Sequence, residues 1–326
     1  MPAIRYLIAA RLAMDATVEV RGLVKRYAAG PTIGPIDFEA QPGQVVAVAG
    51  SNGAGKSTTL RMTLGLSAPS RGHALVMGRP YGQLERPGLQ VGVFLGGRLG
   101  DESMTGREYL TFMAGMMELP NVRRRVRRVL RDCGLERWPK TRIKGYSTGM
   151  RQRLGVAGAI IADAPVLVLD EPFNGLDIAG RLWLHDSIRQ WSAAGKTVIL
   201  AAHEIDELQR IATHVLIIMH GRQMAYGPLE QVIADNGGKS GTVFRFAPDV
   251  DETRKAMVIG ELAITGADLH LSDDGSYLAR QTDEAAVFAI AARHDATLVR
   301  LDHAEPTLRD VMTGMIRQTP EKERAS

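Results

Sequence analysis

The chain has 326 residues, of which 45% are hydrophobic, and its formal net charge is +4 at pH 7. This length accommodates one large domain and a smaller one, and the hydrophobic fraction is sufficient for a globular core. Cys133 is the one cysteine of the sequence, which excludes an intramolecular disulfide and favours a reducing compartment. No apolar run reaches the length of about 18 residues that a membrane-spanning helix requires.

The first third of the chain is predicted to alternate strands with helices. Residues 1–16 are interpreted as an N-terminal extension. Alternating apolar and polar residues predict strands at 17–24 and 35–40, and the continuous apolar run 45–49 predicts a buried strand. A glycine-rich turn follows, and then a helical pattern from residue 56 to about residue 66.

Further along the chain, residues 100–160 are predicted to be mostly helical. Three more apolar runs predict buried strands, at residues 166–169, 197–202 and 215–219. Strands that alternate with helices indicate an α/β architecture with a largely parallel sheet.

A second, smaller domain is predicted after a glycine-rich linker at residues 236–241. The expected limits are 17–235 for the first domain, 242–316 for a small α+β domain and 317–326 for a polar tail. The predicted elements of the small domain are residues 242–246, 251–257, 268–271, 277–280, 284–293 and 297–301. Its predicted core residues are Val243, Leu269, Leu271, Val287, Ile290, Leu298 and Leu301.

A phosphate-binding loop is predicted at residues 50–57, whose sequence GSNGAGKS fits the pattern G-x-x-x-x-G-K-[ST]. Its glycines let backbone N–H groups surround phosphate oxygens, and the following helix adds its positive dipole end. Lys56 supplies a charge to the outer phosphates, and Ser57 offers a hydroxyl ligand to Mg²⁺. The alternative is a strand-to-helix turn without a ligand. The residues expected to bind the phosphate group are Ser51, Asn52, Gly53, Ala54, Gly55, Lys56, Ser57 and Thr58.

Two acidic residues end the apolar run at 166–171, VLVLDE. Ligands of open α/β sheets bind at the carboxyl ends of the strands. There Asp170 can hold Mg²⁺ through water, and Glu171 can polarise an attacking water as a general base. A solvated strand end is the alternative, and the phosphate loop favours the functional interpretation.

Residues 146–153, YSTGMRQR, resemble the signature sequence of the ABC ATPases, with Thr148 and Met150 in place of the usual glycine and glutamine. Residues 174–177, NGLD, resemble the D-loop of that family. His203 resembles its switch histidine, which follows a buried strand. The aromatic residue that stacks on adenine in the family is matched by Tyr27.

This resemblance extends over about residues 17–230, and it is to the ATP-binding subunits of ABC transporters. It implies a P-loop NTPase core with a helical signature subdomain, the cofactors ATP and Mg²⁺, and ATP hydrolysis. The implied catalytic residues are Glu171, His203 and Lys56, and the implied metal ligands are Ser57 and Asp170. The residues implied to contact nucleotide across a head-to-tail dimer are Ser147, Thr148, Gly149 and Asp177.

The resemblance also implies partners and a location. The chain is expected to pair with itself or with a similar ATPase, and to dock on a separate permease at the cytoplasmic face of the membrane. No direct contact with nucleic acid is expected. Residues 305–312, EPTLRDVM, resemble the end of the small domain appended to drug and polysaccharide exporters, which favours export.

Two other functions compete with that of an exporter subunit. A soluble ABC-type ATPase acting on ribosomes or nucleic acid usually carries two cassettes or a long coiled coil, whereas this sequence has one phosphate loop and no heptad run. A regulatory binder without catalysis is disfavoured because Glu171 is present.

One departure from the family follows the strand at residues 91–95. The family has a glutamine there that contacts Mg²⁺, and this chain has Gly96, Gly97 and Arg98. A glycine has no side chain for that contact. Water or another residue therefore replaces it, or the coupling to the permease is altered.

A basic run at residues 123–131, RRRVRRVLR, is predicted to form an amphipathic helix. At helical spacing Val126, Val129 and Leu130 share one face and the arginines point outward. A solvated helix face is one interpretation, and contact with acidic lipids or a partner helix is the other.

Overall fold

The computed structural model describes residues 17–97, 99–236, 240–272 and 274–318. The chain divides into two compact units, and the boundary between them falls after Leu229. The predicted extension at 1–16 lies outside the described residues, as do residues 237–239 of the predicted linker and residues 319–326 of the predicted tail. No helix in the described ranges combines the length and the apolar character that a membrane span needs.

The first unit contains a small antiparallel sheet. Its strands are β1 (Val18–Lys25), β2 (Ile33–Ala40) and β4 (Arg71–Val76), in the order β2-β1-β4. The predictions of β1 and β2 are confirmed to within a few residues. Strand β4 is not predicted from the sequence, because the first half of this strand is exposed and its sequence lacks an apolar alternation.

The main sheet of this unit is built from six strands. They are β3 (Val45–Ala49), β5 (Val91–Phe94), β6 (Val166–Asp170), β7 (Thr197–Ala202), β8 (His214–Met219) and β9 (Arg222–Pro228). Their order is β5-β6-β7-β3-β8-β9, and all neighbours are parallel except β8 and β9. Every residue of β3, β6 and β7 is buried, which explains their continuous apolar sequences.

This strand order determines where the predicted chemistry lies. Parallel strands emerge at the same edge of a sheet, and β7 separates β6 from β3. The phosphate loop follows β3, the acidic pair ends β6, and His203 follows β7. Three segments far apart in the sequence therefore meet at one edge.

The helix α1 (Lys56–Thr63) begins directly after the phosphate loop. It ends before the predicted limit near residue 66 because Gly65 adopts a φ of 63° and turns the chain. The Leu66 N–H then donates to the Arg61 carbonyl at 2.9 Å, which closes the last turn.

The short helix α2 (Pro87–Gln90) precedes β5. Residues 100–160 are mostly helical, as predicted, and contain α3 (Gly106–Met116), α4 (Val122–Asp132) and α5 (Thr148–Ile160). Helix α4 buries Val126, Val129 and Leu130, so the predicted apolar face of the basic run is confirmed. The first unit continues with α6 (Ile178–Ala193) and α7 (Ile205–Gln209), and α8 (Leu229–Asn236) begins at its end.

The second unit has a four-stranded sheet with two crossover helices. In chain order it contains β10 (Gly241–Phe246), α9 (Glu252–Ile264), β11 (Asp268–Leu271), β12 (Tyr277–Arg280), α10 (Glu284–Arg293), β13 (Leu298–Ala304) and α11 (Leu308–Gln318). The sheet order is β11-β12-β10-β13, and all neighbours are antiparallel. This is the split β-α-β arrangement of ferredoxin-like domains.

The predicted core of the small domain is correct for most positions and wrong for one. Val287 and Ile290 are buried, and Leu269, Leu298 and Leu301 pack against the same cluster. Val243 is half-buried. Leu271 is 65% exposed, and it is the last residue of the four-residue edge strand β11.

Candidate nucleotide site

The phosphate loop adopts a geometry that requires glycine. Gly55 has a φ of 108°, and a Cβ at this position would lie 2.8 Å from Ile33. Lys56 is 5% exposed, and its Nζ donates to the carbonyls of Gly50 at 2.8 Å and Ser51 at 3.1 Å. The lysine side chain therefore lies back over its own loop.

Glu171 adopts a left-handed backbone conformation, with a φ of 49°. Such strain in a residue other than glycine is characteristic of functional sites and requires support from the surrounding structure. The Glu171 N–H donates to the Ala201 carbonyl at 2.7 Å, and the Gln152 side-chain amide donates to the Glu171 carbonyl at 2.7 Å. Strand β7 and helix α5 thus hold this glutamate in place.

The three predicted catalytic side chains meet in the structure. Glu171 Oε1 lies 3.6 Å from Lys56 Nζ, and Glu171 Oε2 lies 2.8 Å from His203 Nδ1. The three residues come from three different connections of the main sheet. Their proximity agrees with the predicted site, and their catalytic roles stay predictions.

Asp170 is buried next to Glu171, and one oxygen of its carboxyl group accepts no hydrogen bond from the described residues. Burial raises the pKa of its carboxyl group, a hydrogen bond with Ser57 opposes the rise, and the Glu171 carboxylate adds to it. Asp170 Oδ1 has no hydrogen-bond partner among the described residues. A buried carboxylate oxygen beside a hydroxyl fits the oxygen ligands that Mg²⁺ prefers.

Tyr27 lies next to the start of α1. Its hydroxyl is 3.4 Å from Thr58 Oγ1, and its ring is 5.8 Å from Lys25 Nζ. The side chain is 45% exposed, so the ring is not a core residue. An exposed aromatic surface beside a phosphate loop suits stacking with a base.

The residues of the predicted signature line a cavity of about 560 Å³, which is separate from the site of Lys56, Glu171 and His203. It is lined by Ser147, Thr148, Gly149 and Asp177, and by none of the catalytic residues named above. Ser147 and Asp177 also cap helices, since they accept from the Met150 N–H at 3.2 Å and the Gly180 N–H at 2.7 Å.

Close approach of the signature to the D-loop explains one glycine. A Cβ on Gly175 would lie 2.5 Å from Thr148 Cγ2, and Gly175 has a φ of 71°. The two predicted motifs are therefore in direct contact within one chain.

Two residues near the site are not predicted from the sequence. Gln152 lies within the segment that resembles the signature, and its side-chain amide holds the Glu171 backbone. Arg181 of α6 binds Glu204 at 2.5 Å and Glu207 at 2.9 Å, next to His203. The one sequence signal for a role of Arg181 near the site is its position one turn after the D-loop.

The loop that lacks the family glutamine runs beside the acidic pair. A Cβ on Gly96 would lie 3.8 Å from the Asp170 carbonyl, and a Cβ on Gly97 would meet no atom within 4 Å. Both glycines have positive φ, of 68° and 85°. Arg98 lies outside the described residues.

Comparison with known sequences supports the resemblance. The family model described as "ABC transporter" matches residues 33–174. The Nod factor export ATP-binding protein I of Cupriavidus metallidurans is 34% identical over 223 residues, which are 68% of this chain and 74% of that protein. The daunorubicin/doxorubicin resistance ATP-binding protein DrrA of Streptomyces peucetius is 31% identical over 274 residues, which are 82% of this chain and 81% of that protein.

Solved structures show the same fold. An ATP-binding subunit of an ABC transporter is 29% identical, with a TM-score of 0.62, over 68% of this chain and 93% of that one. The cbiO1 protein of Clostridium perfringens, part of the transporter complex cbiONQ, is 27% identical, with a TM-score of 0.59, over 68% of this chain and 92% of that one. The predicted fold is confirmed, and the chain belongs to the ATP-binding proteins of the ABC transporter family, which hydrolyse ATP.

Proposed function

We propose that this chain energises export through a separate membrane permease, by ATP-driven pairing of two ATP-binding domains at the cytoplasmic face of the membrane. The observation that carries the proposal is the contact of Glu171 with both Lys56 and His203 at one edge of the main sheet. Export is favoured because two similar proteins are named for Nod factor export and for drug resistance.

The chemistry follows from the positions of the side chains. Phosphates that bind in the loop would pair with the Lys56 ammonium, which otherwise contacts two loop carbonyls and the Glu171 carboxylate. The release of Lys56 leaves the Glu171 carboxylate free to accept a proton from water. His203 orients that carboxylate through the 2.8 Å contact.

Ser57 and Asp170 are the residues that would hold Mg²⁺. The unpartnered Asp170 oxygen supports this assignment, because a buried ionised carboxylate is stable only when it is paired or bound to a cation. When bound, the ion would neutralise charge on the phosphate oxygens.

A head-to-tail dimer is favoured by the separation of two groups of residues. The cavity of Ser147, Thr148, Gly149 and Asp177 does not include the phosphate loop of the same chain. It lies at the N-terminus of α5, where backbone N–H groups favour an anion. The signature therefore serves the nucleotide of a second copy, or of a similar ATPase.

Cell fractionation tests this function against the soluble alternative. When it is co-expressed with its permease, the chain should float with membranes on a density gradient. Without the permease it should stay in the supernatant, because the proposed attachment to the membrane is through that partner. Sedimentation with ribosomes in both cases would favour the soluble alternative.

Replacing Tyr27 with alanine is expected to weaken ATP binding more than it alters the turnover rate. Base–aromatic stacking contributes about 1–3 kcal/mol, so the dissociation constant should rise about fivefold to 150-fold. Tyr27→Phe is the matched control, since it keeps the ring and loses only the long contact with Thr58. Equilibrium binding of MgATP measures the effect, and unchanged affinity in Tyr27→Ala would mean that the ring only packs.

A further inference from the structure

The sheet of the second unit ends on a long, accessible strand. Strand β13 pairs with β10 on one side, and no described strand lies on its other side. It spans 7 residues, whereas β11 at the opposite edge spans 4. An unpaired edge presents N–H and C=O groups to any strand that can align with it.

Apolar surface continues from this edge onto the neighbouring helix. A groove of about 630 Å³ runs between α10 and β13 and is lined mainly by apolar side chains. Phe288 on α10 and Val299 on β13 line it, and they are 61% and 53% exposed. A strand that aligns with β13 and covers these side chains would remove apolar surface from water, which stabilises the pairing.

The charges of β13 are complementary to a second copy of the same strand. Arg300 and Asp302 flank Leu301, and Arg300 Nε lies 2.6 Å from Asp302 Oδ2. Both side chains therefore lie on one face of the strand. In an antiparallel pair centred on Leu301, Arg300 of each copy would lie opposite Asp302 of the other, which is a favourable cross-strand pair.

The two neighbouring registers of an antiparallel β13 pair, whose centres lie one residue to either side of Leu301, are unfavourable. A pair centred on Arg300 would bring this arginine opposite itself, and a pair centred on Asp302 would bring two carboxylates together. The charge pattern thus selects one register, and a two-fold axis through Leu301 makes the interface isologous.

We propose that β13 is a self-association edge, at which two copies of this chain join their small sheets antiparallel about Leu301. The contact needs no nucleotide, since every residue in it belongs to the second unit. It goes beyond the ATP-driven pairing proposed above and does not depend on it.

Charge reversal in the full chain tests the register. Sedimentation velocity without nucleotide, over a concentration series, should show a reversible dimer of the wild type. Arg300→Asp and Asp302→Arg should each weaken it by about tenfold, because each makes two like-charge pairs. An equimolar mixture of the two variants should form a heterodimer, since every facing pair is again of opposite charge.

Two further variants separate the interface from general effects on the fold. Arg293→Asp is the matched control, because Arg293 is an exposed arginine of α10 that pairs with Glu261 and does not line the groove. It should leave the dimer unchanged. Phe288→Ser should weaken the dimer by removing apolar area at the groove.

Hydrogen exchange locates the contact. The amides of β13 should gain protection as the wild-type concentration rises, and Arg300→Asp should lose that gain. A chain that stays monomeric without nucleotide would overturn the inference, as would a mixture that forms no heterodimer, or a dimer without protection of β13. None of these outcomes bears on ATP-driven pairing, which is measured with nucleotide present.

Discussion

Replacing Glu171 with glutamine is expected to remove most ATP turnover and to leave ATP binding intact. The amide keeps the shape of the side chain and loses its basicity, and a general base contributes about 100-fold to 10,000-fold to the rate. The hydrogen bonds to the Glu171 backbone, from Gln152 and to Ala201, do not involve the carboxylate and should persist. Steady-state phosphate release measures turnover, and equilibrium binding measures affinity.

The same variant should accumulate as an ATP-bound dimer, because pairing proceeds and hydrolysis does not. Size-exclusion chromatography in MgATP would show that species. Glu118→Gln is a suitable control, since the Glu118 side chain is 83% exposed and lies outside the site. Wild-type turnover in Glu171→Gln would mean that another group is the base.

Replacing Ser147 with arginine is expected to block hydrolysis and to spare nucleotide binding. The larger, charged side chain would fill part of the signature cavity and displace the anion expected there. Lys56 and the rest of the phosphate loop do not line this cavity, so the affinity of the monomer for ATP should stay near that of the wild type. Thr111→Arg, at an exposed position of α3, controls for the added charge.

Mixing Ser147→Arg with Lys56→Ala tests whether the site is shared between chains. Each heterodimer keeps one site, made of Lys56 from the first variant and Ser147 from the second. Random pairing would then restore about a quarter of wild-type turnover, although each variant alone is inactive. No recovery in the mixture, or full turnover by isolated monomers, would contradict a composite site.

The loop at Gly96 and Gly97 lacks the glutamine that the family has at this place. The loop passes the Asp170 carbonyl and carries no functional side chain at either glycine. Either water or another residue takes the place of the glutamine there, or the coupling is altered.

The local sequence determined those elements whose residues all have the same environment. The strands β3, β6 and β7 are buried along their full length, so an uninterrupted apolar run was sufficient to predict them. The phosphate loop is also local, because its glycines and Lys56 lie within one turn between a strand and a helix. By contrast β4 and β9 are partly exposed, and their sequences carry no clear period.

Only the tertiary structure decided how the predicted catalytic groups meet. Glu171 and His203 follow different strands, and their 2.8 Å contact depends on β6 lying next to β7 in the sheet. The Gln152 bond to Glu171 and the exposure of Leu271 depend in the same way on which element packs beside which. A short sequence window encodes period and turn chemistry, but it does not encode the order of strands, because that order is set by contacts between distant segments.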